Sequence, residues 1–238
     1  MNIQILHMVE GAKQAKGIAV IIDVFRAFTV ETYLMRGNAE KIIPVGDVEV
    51  AFQYKKAHPN TILCGERNGV MIEGFQYGNS PSQLEHADLT GLTVVHTTSA
   101  GTQGIANAHS ADEILTGSLV NARAIAEYIK KKNPENVSLV CMGLHAVKQT
   151  EEDNLCAEYI KSLLEGNPLP DMQQRMESLK YTSGAKFFDP AQQSVFPERD
   201  FHLCLELDTV PFVLRQTIDP ESGLGCMERV DVPEACTL

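Results

Sequence analysis

Asp23 and Arg26 stand three residues apart, directly behind the apolar run Ile18–Ile22. At the mouth of a strand the two have complementary chemistry. The carboxylate can ligate Mg2+ or attack a phosphorus, and the guanidinium can clamp a phosphate or sulfonate through two parallel hydrogen bonds. A plainer reading has Asp23 capping the next helix and Arg26 pairing with it. The same theme recurs at Glu66 and Arg67, which open a stretch over 65–81 that also holds Glu73 and the triplet Asn79-Ser80-Pro81. Glycines at 65, 69, 74 and 78 argue for a loop there rather than a helix. Asn79 and Ser80 can each donate to an anion or cap a helix; the plainer reading is an ordered surface loop held by turn chemistry, although irregular stretches of this length are usually functional or disordered. Behind His96, the residues Thr97, Thr98, Ser99, Gly101 and Thr102 form a hydroxyl-rich passage between a strand and a helix, suited to cradling an anion. It lacks the G-K-[ST] of a P-loop and the G-x-G-x-x-G dinucleotide fingerprint. His96 itself reads as a strand residue with a satisfied ring. Finally, Glu151, Glu152 and Asp153 follow Gln149-Thr150 at a helix start. Acids are favourable there whatever the function, and clustered carboxylates beside an arginine-lined anion site also suit Mg2+.

These groups need a scaffold that gathers them. Apolar, β-branched runs predict buried strands over 17–22, 41–45, 61–64, 92–96 and 137–142. Between them lie helical patterns over 27–36, 48–58, 121–132 and 151–164. Gly37-Asn38 ends the first, Asp47 caps the second, and Asn121 caps the third, which closes on three lysines. Alternation of this kind predicts an α/β protein with a mainly parallel or mixed sheet and helices on both faces. The ligand site then lies at the carboxyl ends of the strands. Beyond Gly166, prolines at 168, 170, 190 and 197 break the pattern, so this part is expected to wrap the sheet with helices and a loop. Whether 180–199 covers the site as a lid stays open.

The 238 residues, 44% hydrophobic, can bury a large core as one compact domain or two intimate lobes. A net charge of −11 argues against a nucleic-acid or anionic-membrane surface, since either needs a basic footprint. Binding an anion therefore requires local arginines or a metal. Residues 1–9 lack the basic start and long apolar core of a secretory leader, and no run reaches the roughly 20 apolar residues of a membrane span. The six scattered cysteines form no C-x-x-C pair and read as reduced thiols, consistent with a cytoplasmic location. A homodimer is the default expectation for an enzyme of this size.

The segments IIDVFRAFTV, CGERNGVMIEGFQYGNSP, HTTSAGTQG, GSLVNARAIA and the EED helix start occur in an order and spacing that resembles the 2-phosphosulfolactate phosphatase family, the magnesium-dependent phosphatases of coenzyme M biosynthesis. The resemblance runs from about residue 17 to 159, and the 200–211 region resembles the family's closing helix. It implies hydrolysis of 2-phospho-3-sulfolactate to 3-sulfolactate and phosphate. On that reading Mg2+ sits on Asp23 with acids drawn from Glu66, Glu152 and Asp153. Arg26 or Arg67 neutralises the phosphoryl oxygens while the other arginine holds the sulfonate or carboxylate. Asn79, Ser80, Thr97, Thr98, Ser99, Gly101 and Thr102 contribute to substrate binding. Either an activated water or Asp23 itself attacks; Phe25 occupies the position of a second aspartate in haloacid-dehalogenase sites, which favours water. Three other readings stay open: a phosphatase for another small organic phosphate, a non-catalytic binder of a phosphorylated or sulfonated metabolite, and an interaction subunit.

Overall fold

A computed structural model describes residues 1–236. The strands are β1 (Asn2–His7), β2 (Ile18–Ile22), β3 (Lys41–Pro44), β4 (Ile62–Arg67), β5 (Val70–Met71), β6 (Thr93–Thr97), β7 (Glu113–Gly117), β8 (Asn136–Cys141), β9 (Phe212–Ile218) and β10 (Gly225–Asp231). The helices are α1 (Met8–Gln14), α2 (Ala27–Arg36), α3 (Val48–Ala57), α4 (Gly101–Asn107), α5 (Ala122–Lys132), α6 (Glu151–Glu165), α7 (Met172–Ser178) and α8 (Glu198–Cys204). All ten strands join one mixed sheet in the order β1-β8-β2-β7-β9-β10-β3-β6-β4-β5. The expected α/β architecture is present.

β2 shows why helices cover both faces. Its five residues are all buried, and the two-residue period of a strand sends alternate side chains to opposite sides. Ile18, Val20 and Ile22 pack with Ile125 of α5 and Ile160 of α6, whereas Ala19 and Ile21 pack with Phe28 and Val30 of α2. A third cluster joins Ile43, Leu63 and Val95 to Ala51 and Tyr54 of α3.

The sheet contains two parallel blocks. One comprises β1, β8, β2 and β7; the other comprises β3, β6 and β4. The hairpin β9–β10 pairs antiparallel with both, through Leu115 opposite Arg215 and Ile42 opposite Met227. Three antiparallel steps thus separate the blocks, and their strands run in opposite senses. The central hairpin comes from the part of the chain that was expected only to wrap the sheet, and β1 and β7 were also outside the expected strands.

Three local expectations are corrected. Gly65–Arg67 belongs to β4, whose end forms a hairpin with β5, so Glu66 and Arg67 are strand rather than loop residues. The helix expected over 200–211 is α8, which begins two residues earlier and stops at Cys204. Asn121 does not cap α5; its amide closes the preceding turn on Ser118 and Thr116, and Asp208 takes the Arg123 N–H at 2.8 Å instead. Asp47 does cap α3, accepting from the Glu49 N–H at 2.9 Å.

Candidate active site

The carboxyl ends of both blocks open on one cavity of about 630 Å3. Asp23 follows β2, Glu66 is the last residue but one of β4, and Thr98, Ser99 and Ala100 follow β6. Glu152 and Asp153 arrive on the first turn of α6, behind β8.

Asp23 is buried, and one of its oxygens, Oδ1, accepts the Ala27 N–H at 3.2 Å. It therefore caps α2, as the plainer reading expected, while its second oxygen makes no hydrogen bond to the described residues. Burial pushes its pKa up to about 6, reinforced by Glu152 and Glu66 and opposed by the Ala27 N–H and Lys186. Asp153 ties two strand ends together, accepting from the N–H groups of Val24 and Gly143, each at 2.8 Å. Burial, and then the charges of Glu152 and Asp23, hold its carboxyl well above the ordinary range. Glu152 is also raised, mainly by burial, and its Oε2 is buried without a hydrogen-bond partner. Glu66 is more committed: Oε2 accepts from Gly69 N–H at 2.6 Å, and Oε1 accepts from Ser99 N–H at 2.8 Å and Ser99 Oγ at 2.9 Å.

Arg26 is 3% exposed. It does not pair with Asp23. Its Nη1 donates to Asp200 at 2.9 Å and to the Val195 carbonyl at 2.7 Å, its Nη2 reaches the Gly69 carbonyl at 3.4 Å, and its guanidinium lies 4.7 Å from the centre of the Phe196 ring. Asp200 is completely buried and also accepts from Ser80 Oγ at 2.8 Å and Ser82 N–H at 3.0 Å. With three of five N–H groups engaged, Arg26 is held in one orientation and keeps two donors for a ligand.

Several predicted site residues serve the wall instead. Arg67 does not line the cavity; its guanidinium donates to the carbonyls of Glu66 and Gly46 and to Thr97 Oγ1, at 2.7, 2.7 and 2.9 Å. Strand alternation explains this, because adjacent residues of β4 face opposite sides. Thr97 is consumed by that bond, Ser80 by Asp200, and Thr102 Oγ1 by the Thr98 carbonyl at 3.1 Å. Gly101 packs so tightly on α2 that a Cβ there would lie 2.9 Å from Phe28 Cζ. Of the expected hydroxyl cradle, Thr98 Oγ1 is left buried and without a partner, while Asn79 also lines the cavity. Glu73 is exposed away from it.

The site also contains a residue absent from the sequence reading. Lys186, on the short turn Ala185–Phe188, lines the cavity between the Phe187 and Phe196 rings, 5.4 and 4.9 Å from their centres. Burial lowers its pKa, against the charges of Glu152 and Asp23. An aromatic cluster, Phe25 with Phe187 at 5.1 Å and Phe201 at 5.7 Å, fastens this segment to the strand end that carries Asp23. Thus 182–196 covers the site as a packed wall.

Five acidic residues (Asp23, Glu66, Glu151, Glu152, Asp153) and three basic ones (Arg26, Lys148, Lys186) line the cavity. That excess, the unpartnered Glu152 oxygen and the free Asp23 oxygen together form a donor set that fits a hard divalent cation. No three acids, histidines or cysteines among the described residues close into a ready-made metal cage. Mg2+ does not require one, since it keeps waters and commonly binds through one or two carboxylates plus a phosphate.

A family model described as 2-phosphosulpholactate phosphatase matches residues 4–218. A protein of Bacillus subtilis (strain 168) named probable 2-phosphosulfolactate phosphatase is 31% identical over 213 residues, covering 90% of this chain and 92% of that protein. Proteins of the same name from Caldicellulosiruptor saccharolyticus and Carboxydothermus hydrogenoformans are 40% and 39% identical, over 65% and 69% of this chain and 64% and 68% of theirs.

Proposed function

The chain belongs to the 2-phosphosulpholactate phosphatase family, and from that premise we propose that it hydrolyses a phosphate monoester, 2-phospho-3-sulfolactate, to 3-sulfolactate and phosphate with Mg2+. The observation that carries this reading is the cavity's imbalance, acidic enough to need a cation yet containing a pinned arginine and a half-buried lysine. Asp23 and Glu152, each with an uncommitted oxygen, would hold the ion, and Glu66 and Asp153 would shape its surroundings. When bound, the ion supplies positive charge to the phosphoryl oxygens as charge shifts to the leaving oxygen.

The remaining work falls to side chains. Arg26 offers its two free N–H groups to an anionic oxygen, and Thr98 Oγ1 supplies a further hydroxyl. Lys186 takes the place of Arg67 as the second cationic side chain. A water oxygen forms the new bond to phosphorus while the ester P–O bond breaks. The departing oxygen takes a proton from Lys186, whose lowered pKa favours that transfer, and the proton lost by the water restores the lysine through solvent. Water is preferred over Asp23 as nucleophile because Phe25 stands where an acid partner would be needed.

Phosphate release from 2-phospho-3-sulfolactate, 2-phospholactate and p-nitrophenyl phosphate, each with Mg2+, tests the substrate. A strong preference for the sulfonate supports the proposal; equal rates on all three would discard the substrate and keep the hydrolysis.

A further inference from the structure

A polar group sits in the middle of the core where an apolar one would pack more cheaply. Glu31 of α2, His96 of β6 and Thr116 of β7 are each 0% exposed. His96 Nδ1 lies 3.1 Å from Glu31 Oε1, and Thr116 Oγ1 donates to Glu31 Oε2 at 3.2 Å. The other ring nitrogen, Nε2, lies 3.4 Å from Oδ1 of Asn79. Buried ionic pairs are weak stabilisers, because desolvation offsets their attraction. The chain leads outward instead: Asn79 lines the cavity, and its Nδ2 makes no hydrogen bond to the described residues.

We propose that Glu31 and His96 are positioning residues that turn the Asn79 amide so that its N–H2 faces the cavity and donates to an anionic oxygen of the substrate. A carboxylate only accepts, so Glu31 fixes a proton on Nδ1. Nε2 then donates to Asn79 Oδ1, and the amide oxygen is held back from the cavity, where it would repel an anion. Thr116 occupies the second Glu31 oxygen and prevents the carboxylate from rotating away. Because Glu31 on α2 bonds both Thr116 of β7, in one parallel block, and His96 of β6, in the other, it registers the Asn79 loop against the Asp23 side of the site. The inference rests on the proposed function only in taking the ligand to be a phosphate ester.

Two replacements at one position separate positioning from packing. An asparagine amide overlays Nδ1 and keeps the bond to Glu31, while a glutamine amide reaches toward the Nε2 position and keeps the donor to Asn79. His96→Asn and Asn79→Ala are expected to raise KM for 2-phospho-3-sulfolactate about 10- to 100-fold, the range for losing a hydrogen bond to a charged group. His96→Gln is expected to stay within a few-fold of wild type. The double variant His96→Asn/Asn79→Ala should be no worse in KM than Asn79→Ala alone, although its melting temperature falls further. Equal KM values for His96→Asn and His96→Gln, or additive KM effects in the double variant, would overturn the proposal. If the position-96 variants do not fold, or the wild type proves inactive, the Asn79 side-chain N–H2 resonances decide. They should shift when orthophosphate is titrated into the wild type, and an absence of shift would overturn the inference independently of turnover.

Discussion

Replacing Asp23 by Asn should abolish turnover and make the protein more stable, and the size of the second effect follows from the structure. Burial raises the Asp23 carboxyl from 3.8 to about 6. The folded state therefore binds this proton more tightly than the unfolded chain. The stabilisation is complete below pH 3.8 and is lost as pH rises through about 6. At about 1.4 kcal/mol per pH unit, the ionised carboxylate costs the fold about 3 kcal/mol at pH 7.5. An asparagine keeps an oxygen for the Ala27 N–H and removes the charge facing Glu152 and Glu66. The variant should melt about 6–12 °C higher at pH 7.5, given about 2–4 °C per kcal/mol for a domain of this size. The difference should vanish near pH 4. Mg2+ should raise the wild-type midpoint and leave the variant nearly unchanged, which closes part of the gap. Calorimetry from pH 4 to 8, with and without Mg2+, reads all of this. A variant less stable than wild type at pH 7.5, equal Mg2+ stabilisation of both proteins, or retention of more than about a tenth of the turnover would refute the reasoning.

Asp200→Ala leaves Arg26 buried without its carboxylate, so urea unfolding should show a loss of about 3–5 kcal/mol together with loss of turnover. Gly69→Ala places a Cβ at a φ of +82° and only 2.6 Å from the Phe196 ring that covers Arg26. It should cost about 1–3 kcal/mol and lower turnover without unfolding the chain, as circular dichroism and kinetics will show. Lys186→Met removes a charge that pulls the Asp23 pKa down. In the metal-free protein the Asp23 carboxyl of this variant should therefore titrate at higher pH than in the wild type, as carboxyl-carbon NMR will show, and the maximal rate with Mg2+ should fall.

The residues that were legible in the sequence share one property: they sit where a strongly patterned element begins or ends. Asp23 follows a fully apolar strand, Glu152 and Asp153 open a long amphipathic helix, and all three reach the cavity. Arg67 was misplaced because the glycines at 65 and 69 suggested a loop. The backbone is a strand to Arg67, and one step along a strand reverses the side chain's direction. Lys186 gave no signal, since it lies among prolines and short turns where periodicity carries nothing, and Asp200, in the helix that the resemblance marked, gave none of its role. Their places follow from long-range aromatic packing and from one buried ion pair. The β9–β10 hairpin was concealed by charged residues such as Arg215, Glu228 and Arg229, which interrupt the apolar runs of strands that occupy the middle of the sheet. Its antiparallel pairing is what brings the two parallel blocks into opposition, so the cavity between them could be anticipated in its residues but not in its shape.

The most direct test of Mg2+-dependent hydrolysis is phosphate release from 2-phospho-3-sulfolactate by the purified protein, with Mg2+ and then with EDTA. Steady turnover with Mg2+ is expected, with its loss on chelation and its return when Mg2+ is restored. Turnover unaffected by EDTA, or no release from any phosphate monoester under either condition, would contradict it.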